Sequence, residues 1–152
     1  MSRIALLDVN LLVALFDPDH VHHDLAHDWF ADSRANGWAT CPATETGVVR
    51  VLGNPRYGAA LTRPTDLIER LRQFCGTAHH RFWSDAVSLR DEKIFRMAFV
   101  RGHRQLTDVY LLGLAVTMGG CLATFDRTIP LEAVVGATRQ TLQVISSANA
   151  DE

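Results

Sequence analysis

Four acidic residues, far apart in the chain, stand where their type and position can do metal-assisted chemistry: Asp8, Glu45, Asp108 and Asp126. Asp8 closes the apolar run IALL, and Asp126 follows the run CLATF. Glu45 lies in the first turn after Pro42, and Asp108 opens the stretch DVYLLGLAVTM. A carboxylate at the end of a buried strand is costly unless something pairs with it. Four together repel, and at least one takes up a proton unless a cation intervenes. Hard oxygen donors of this kind suit Mg²⁺ or Mn²⁺, one ion or two. Such ions lower the pKa of water and stabilise the leaving oxygen of an in-line displacement at phosphorus. Each acid taken singly has a plainer role. Asp8 can cap a helix, as can Asn10, and Asp108 can answer a helix dipole. Asp126 can be a turn residue beside Arg127, and Glu45 a solvated acid. Their joint placement favours the metal reading.

That placement depends on the elements around them. RIALLD (3–8), WATC (38–41), RFW (81–83), CLATF (121–125) and TLQVI (141–145) read as short strands bounded by polar or turn residues. Between them lie helical stretches. LLVALF (11–16) stops at the turn DPDH, and a second helix runs over 21–36 to Gly37. Pro42 opens the helix through ATETGVVRVL. Thr65 caps DLIERLRQFC, and Ser88 caps LRDEKIFRMAFV. Thr107 and Asp108 open the helix that ends at Gly119 and Gly120. Strands alternating with helices indicate an α/β fold with a mainly parallel sheet. In such a sheet, ligand sites form beyond the carboxyl ends of the strands. Helix N-termini point to the same edge, so all four acids can converge there.

The totals exclude several classes. A chain of 152 residues, 47% hydrophobic and 21% charged, supports one packed domain, here 1–146. Residues 147–152 are expected as a disordered tail. A net charge of −2 argues against a general basic coat for nucleic acid, though not against a local groove. Lys93 is the only lysine, so there is no GK[ST] string and no P-loop. Cys41, Cys75 and Cys121 lack CxxC spacing and read as reduced, mostly buried residues. No stretch has the length and flanks of a membrane span, and no secretory cleavage pattern opens the chain. A cytoplasmic location is expected.

LLDVNLLVALFDPDH resembles the opening of PIN domains, and in particular of VapC-type toxins of type II toxin–antitoxin systems. PATETGVVRVL, LTDVYLLGLAV and ATFDR follow in the family's order, and the likeness spans 4–145. The resemblance implies a PIN-like three-layer fold, with a five-stranded parallel sheet flanked by helices. It implies a Mg²⁺- or Mn²⁺-dependent endoribonuclease acting on RNA, with structured loops of tRNA or rRNA as common targets. The family's acidic positions fall on Asp8, Glu45, Asp108 and Asp126, with Asn10 and Thr107 as supporting polar residues. It also implies a homodimer and a VapB-type antitoxin whose C-terminal segment wraps an apolar groove. Phe16, Trp29, Phe30 and Trp38 can line such a groove, although plain core packing suits most of them better.

Two further groups carry less. His20, His22, His23 and His27 cluster, and His23 and His27 share a helix face. That spacing can bind zinc, but hydrogen bonding near the helix start is the simpler use. Arg50 and Arg56, nearest the Glu45 helix, are the better candidates for RNA phosphate contacts. Arg70 and Arg72 fit a solvated helix face. A receiver-like Mg²⁺-binding signalling module would want an acidic pair after the first strand and a lysine at a late strand end. A catalytically silent PIN-fold binding subunit would show no metal-dependent turnover.

Overall fold

A computed structural model describes residues 3–147 of the chain. Its five short strands are β1 (Ala5–Leu7), β2 (Trp38–Thr40), β3 (His80–Phe82), β4 (Cys121–Thr124) and β5 (Leu142–Val144). They form one sheet in the order β3-β2-β1-β4-β5, and every neighbouring pair is parallel. β1 is therefore central, with β2 on one side and β4 on the other. In the β1–β4 register Ala5 faces Cys121 and Leu7 faces Ala123. The Asp8 amide extends this ladder by donating to the Ala123 carbonyl at 3.0 Å.

Five helices connect the strands: α1 (Val9–Phe16), α2 (His23–Ser33), α3 (Pro42–Gly53), α4 (Pro64–Cys75) and α5 (Leu106–Thr117). Alternation along each strand sends side chains to two separate cores. Ala5, Leu7, Trp38, Cys121 and Ala123 pack with α1 to α4. Leu6, Ala39 and Leu122 pack on the other face with α5. Both faces are covered at the centre of the sheet, which is why β1 and β4 read as unbroken apolar runs. Trp38 meets Phe30 edge-on at 5.2 Å and Phe74 at 4.6 Å between ring centroids. Such pairs add about 0.5–1.5 kcal/mol each beyond burial. Phe30 and Trp38 are thus core, whereas Phe16 borders an apolar groove with Leu52, Ala59 and Leu61.

The expected helix over 89–100 is absent. Turns occupy that stretch, with a single 3₁₀ turn at Met97–Phe99 and an isolated antiparallel bridge from Phe95 to Val134. The Lys93 amide donates to Asp91 Oδ1 at 2.9 Å, an Asx turn that competes with helix. Phe95 is buried against Gly113 of α5, where a Cβ would collide with its ring. Tertiary packing overrides local periodicity here. α4 begins at Pro64 with Arg63 as its cap, not Thr65, because proline loses nothing at a first helical position. β3 starts one residue earlier than expected. The cysteines are free, with Cys41 and Cys121 buried. Among the described residues no helix is long and apolar enough to cross a membrane. Of the expected tail, residues 148–152 lie outside the described residues.

Candidate metal centre

Asp8 is extended (φ −65°, ψ 158°) between β1 and α1, and only 3% of it is exposed. It is the N-cap of α1: the Val9 amide donates to its Oδ1 at 2.7 Å. The Thr124 hydroxyl donates to its Oδ2, also at 2.7 Å. Capping and site-building are thus one arrangement for this residue, not alternatives. Burial pushes the Asp8 carboxyl above its ordinary value, and these two hydrogen bonds pull the other way.

Thr124, the last residue of β4, ties the neighbourhood together. Its oxygen also accepts from Asn10 Nδ2 at 3.1 Å and from the Asp126 amide at 3.0 Å. One donor and two lone pairs are all a hydroxyl has, and all are used. Asn10 Oδ1 in turn accepts from the Phe125 amide at 3.3 Å. Sequence reasoning passed over Thr124. Its signal was a polar residue closing an otherwise apolar strand, just before Asp126 in ATFDR.

Asp108 lies in the first turn of α5 and is half-buried. Burial first, then the charges of Asp8 and Asp126, push its carboxyl up to about 7. Contact with Asp126 adds to this rise and lowers Asp126 in turn, so the shared proton favours Asp108. Burial also acts to raise Asp126, but the Thr128 hydroxyl and amide and the Asp108 proton outweigh it and hold Asp126 low. The Thr128 contacts are 2.6 and 2.8 Å to Asp126 Oδ1. They form the turn through Arg127, and among the described residues no ion pair joins Arg127 to Asp126. A cleft of about 360 Å³ opens beside Asp8, Asn10, Asp108 and His20. Burial holds the His20 imidazole below its ordinary value.

Three carboxylates from the ends of β1 and β4 and the start of α5 therefore meet on one rim. Their chemistry suits a hard divalent cation, although their oxygens do not all lie within 4.8 Å of one another as those of a closed site would. All the donors are oxygens, and the proton kept near neutrality on Asp108 marks excess negative charge that such an ion relieves. Asp8, Asp108 and Asp126 are the residues that would hold it.

Glu45 is differently engaged. It sits in the first turn of α3, beyond the end of β2. Its Oε2 accepts from the Thr40 hydroxyl at 2.7 Å, and Cys75 and His80 lie beside it. The sheet edge is shared with the other acids, but the carboxylate faces β3. Thr107 is exposed, as are Arg50 on α3 and Arg56 in the loop after it. Arg72 pairs with Glu69, and the Arg70 guanidinium lies 4.6 Å over the Phe16 ring. The histidines serve local structure. His23 Nδ1 meets the Ala14 carbonyl at 2.7 Å and His27 Nε2 the Leu15 carbonyl at 2.9 Å. These are last-turn carbonyls of α1, which have no partner within their helix.

Comparison with known proteins identifies the family. The PIN-domain family matches residues 5–134. Ribonuclease VapC44 of Mycobacterium tuberculosis is 43% identical over 141 residues, covering 93% of this chain and 99% of the relative. Ribonuclease VapC39 of the same organism is 42% identical over 132 residues, covering 87% and 95%. The crystal structure of M. tuberculosis VapC20, a toxin described as cleaving the sarcin–ricin loop, superposes with a TM-score of 0.58. That match covers 86% of this chain and 98% of the other at 15% identity, a likeness of fold alone. The chain belongs to the PIN-domain family and, within it, to the VapC ribonucleases.

Proposed function

We propose that the chain is a Mg²⁺- or Mn²⁺-dependent endoribonuclease that acts in the cytoplasm as the toxin of a toxin–antitoxin pair, held by a VapB-type antitoxin. What supports this is the gathering of Asp8, Asp108 and Asp126 at the ends of β1, α5 and β4, with Thr124 bonded to both Asp8 and Asp126 and with Asp8 and Asp108 lining one cleft. The relatives' names as ribonucleases support the reaction class. The receiver-like alternative has no support: Asp8 lacks an acidic neighbour, and Lys93 sits in a turn.

Each residue has a definable task. Asp8, clamped by Thr124 and Val9, offers a carboxylate of fixed orientation. Asn10 and Thr124 hold that orientation through their shared hydroxyl. Asp108 and Asp126 supply the remaining charge, and Asp108 must lose its proton before the set is fully anionic. A bound Mg²⁺ or Mn²⁺ would supply a Lewis acid that stabilises charge on the phosphate oxygens and activates water for in-line attack. The bond from Thr40 to Glu45 Oε2 draws Glu45 toward β3 and away from the set. Arg50 and Arg56 are offered as phosphate contacts because guanidinium places two donors on one oxyanion. Thr107 is offered as a supporting polar group at the mouth of the rim.

The test is cleavage of total cellular RNA by the purified protein with Mg²⁺, with EDTA as control. Asp8→Asn and Asp108→Asn are each expected to lower the rate at least ~10²-fold, the scale of charge stabilisation at stake. Unchanged cleavage by either pure variant removes that residue from the mechanism. Metal-independent cleavage removes the mechanism itself.

A further inference from the structure

Beside the rim, on the β2–β3 side, three unlike donors converge. The Glu45 carboxylate, the Cys75 thiol and the His80 imidazole offer atoms that all lie within 4.8 Å of one another. They come from three separate elements: the first turn of α3, the last residue of α4 and the first residue of β3. All three surround the buried Thr40 hydroxyl, at 2.7 Å from Glu45 Oε2, 2.8 Å from His80 Nε2 and 3.9 Å from Cys75 Sγ. The hydroxyl has one proton, and a carboxylate can only accept. Thr40 therefore donates to Glu45, and His80 Nε2 carries the proton it donates to Thr40. The Trp38 ring, 4.6 Å from the His80 ring, fixes the imidazole plane.

Hydrogen bonding explains the Glu45–Thr40–His80 chain, and the thiol adds only a long contact of 3.9 Å to the same hydroxyl. A sulfur, a nitrogen and an oxygen donor at one point match a borderline-soft ion far better than Mg²⁺. Tetrahedral zinc sets its ligand atoms about 3.3–3.7 Å apart, within reach of small side-chain rotations here. The mixed donors also distinguish this cluster from the all-oxygen rim.

We propose that Glu45, Cys75 and His80 form a second metal site, selective for a thiophilic divalent ion such as Zn²⁺, with a water or the Thr40 hydroxyl as fourth ligand. Binding replaces the Cys75 thiol proton and the His80 Nε2 proton; the thiol proton leaves to solvent, and the imidazole proton moves to Nδ1 by exchange with water. The ion takes Glu45 with it, so zinc at this site withholds that carboxylate from the rim. This last consequence rests on the ribonuclease reading above.

Cobalt(II) is the probe, because a thiolate ligand gives a sulfur-to-cobalt charge-transfer band in the near ultraviolet. The full chain, freed of metal, is expected to develop this band at one equivalent and to lose it on adding Zn²⁺ but not Mg²⁺. Asp108→Asn should keep the band and Cys75→Ser should lack it. Absence of the band in the unsubstituted chain, or its persistence in Cys75→Ser, overturns the site. His80→Gln, which keeps the thiol, should bind cobalt at least ~10-fold more weakly; equal affinity also overturns it. No RNA enters these measurements, so their failure is separable from failure of the ribonuclease reading. In the RNA assay at saturating Mg²⁺, Zn²⁺ should slow the unsubstituted chain about 10-fold more than Cys75→Ser. Equal slowing overturns the antagonism.

Discussion

Asp108→Asn should make the metal-free protein more stable while abolishing its activity, and the gain should grow with pH. The Asp108 carboxyl is raised from an ordinary 3.8 to about 7 by burial and by its neighbours Asp8 and Asp126. A raised carboxyl binds its proton more tightly in the folded state than in the unfolded one. The stability this confers is fully present below the unfolded value, declines as pH rises from about 4, and is gone above about 7. At 1.36 kcal/mol per pH unit, the full change amounts to ~4 kcal/mol. The side chain is only half-buried, so solvent screening brings this to about 2 kcal/mol. Asparagine keeps the shape without the charge, so it escapes the loss. In EDTA at pH 8, Asp108→Asn should melt about 4–8 °C above the unsubstituted protein. At pH 5 most of the penalty has not yet accrued, and the difference should fall below about 2–4 °C. Saturating Mg²⁺ should then narrow the pH 8 gap, because it stabilises the form that has all its carboxylates. Thermal unfolding followed by circular dichroism reads all of this. A variant no more stable at pH 8, or a gap that does not change with pH, refutes the electrostatic account of the rim.

Other expectations follow from single contacts. Thr124→Val removes the hydroxyl shared by Asp8, Asn10 and Asp126 and should weaken Mn²⁺ binding ~10–100-fold by calorimetry, with Thr124→Ser restoring most of it. Unchanged affinity would mean that Asp8 needs no clamp. Gly113→Ala forces a methyl into the Phe95 ring and should cost ~1–3 kcal/mol in urea denaturation. The joint change His23→Ala and His27→Ala strips two carbonyl partners from the end of α1 and should cost about 1–3 kcal/mol. That loss should be the same with or without EDTA, which separates capping from a zinc role.

Much of this was legible in the residues because it rests on short-range patterns. Continuous apolar runs ending in an acid marked β1 and β4, and glycines and prolines punctuated most helices. Most of what failed did so for non-local reasons, the start of α4 at Pro64 being a local exception. The segment 89–100 has helical spacing, yet Phe95 finds a better partner in Gly113 on α5 and an edge bond to Val134. Nothing within twelve residues of Phe95 announces that. Thr124 escaped notice because its value lies in bonds to Asp8 and Asn10, more than a hundred positions away. The histidine cluster looked like ligands because i, i+4 spacing is shared by metal sites and by any two residues on one helix face.

Glu45 shows most clearly how topology refines a pattern. Four acids at strand and helix ends were expected to meet, and the parallel sheet does bring them to one edge. Strand order then divides them. Asp8 and Asp126 follow adjacent strands, β1 and β4, and Asp108 opens the helix packed on that pair's outer face. Glu45 follows β2, on the other side of β1, where Thr40 and His80 offer closer partners than the anionic rim. Repulsion reinforces the choice: without a cation, a fourth carboxylate beside Asp8, Asp108 and Asp126 would raise a pKa already near 7. The single edge thus carries an all-oxygen cluster and, on the β3 side, a mixed oxygen–nitrogen–sulfur cluster to which Glu45 is joined. Under the two proposals, ion chemistry would decide the fate of Glu45: a hard cation at the rim would lower the cost of bringing it in, and a thiophilic one beside Cys75 would raise the cost of letting it go.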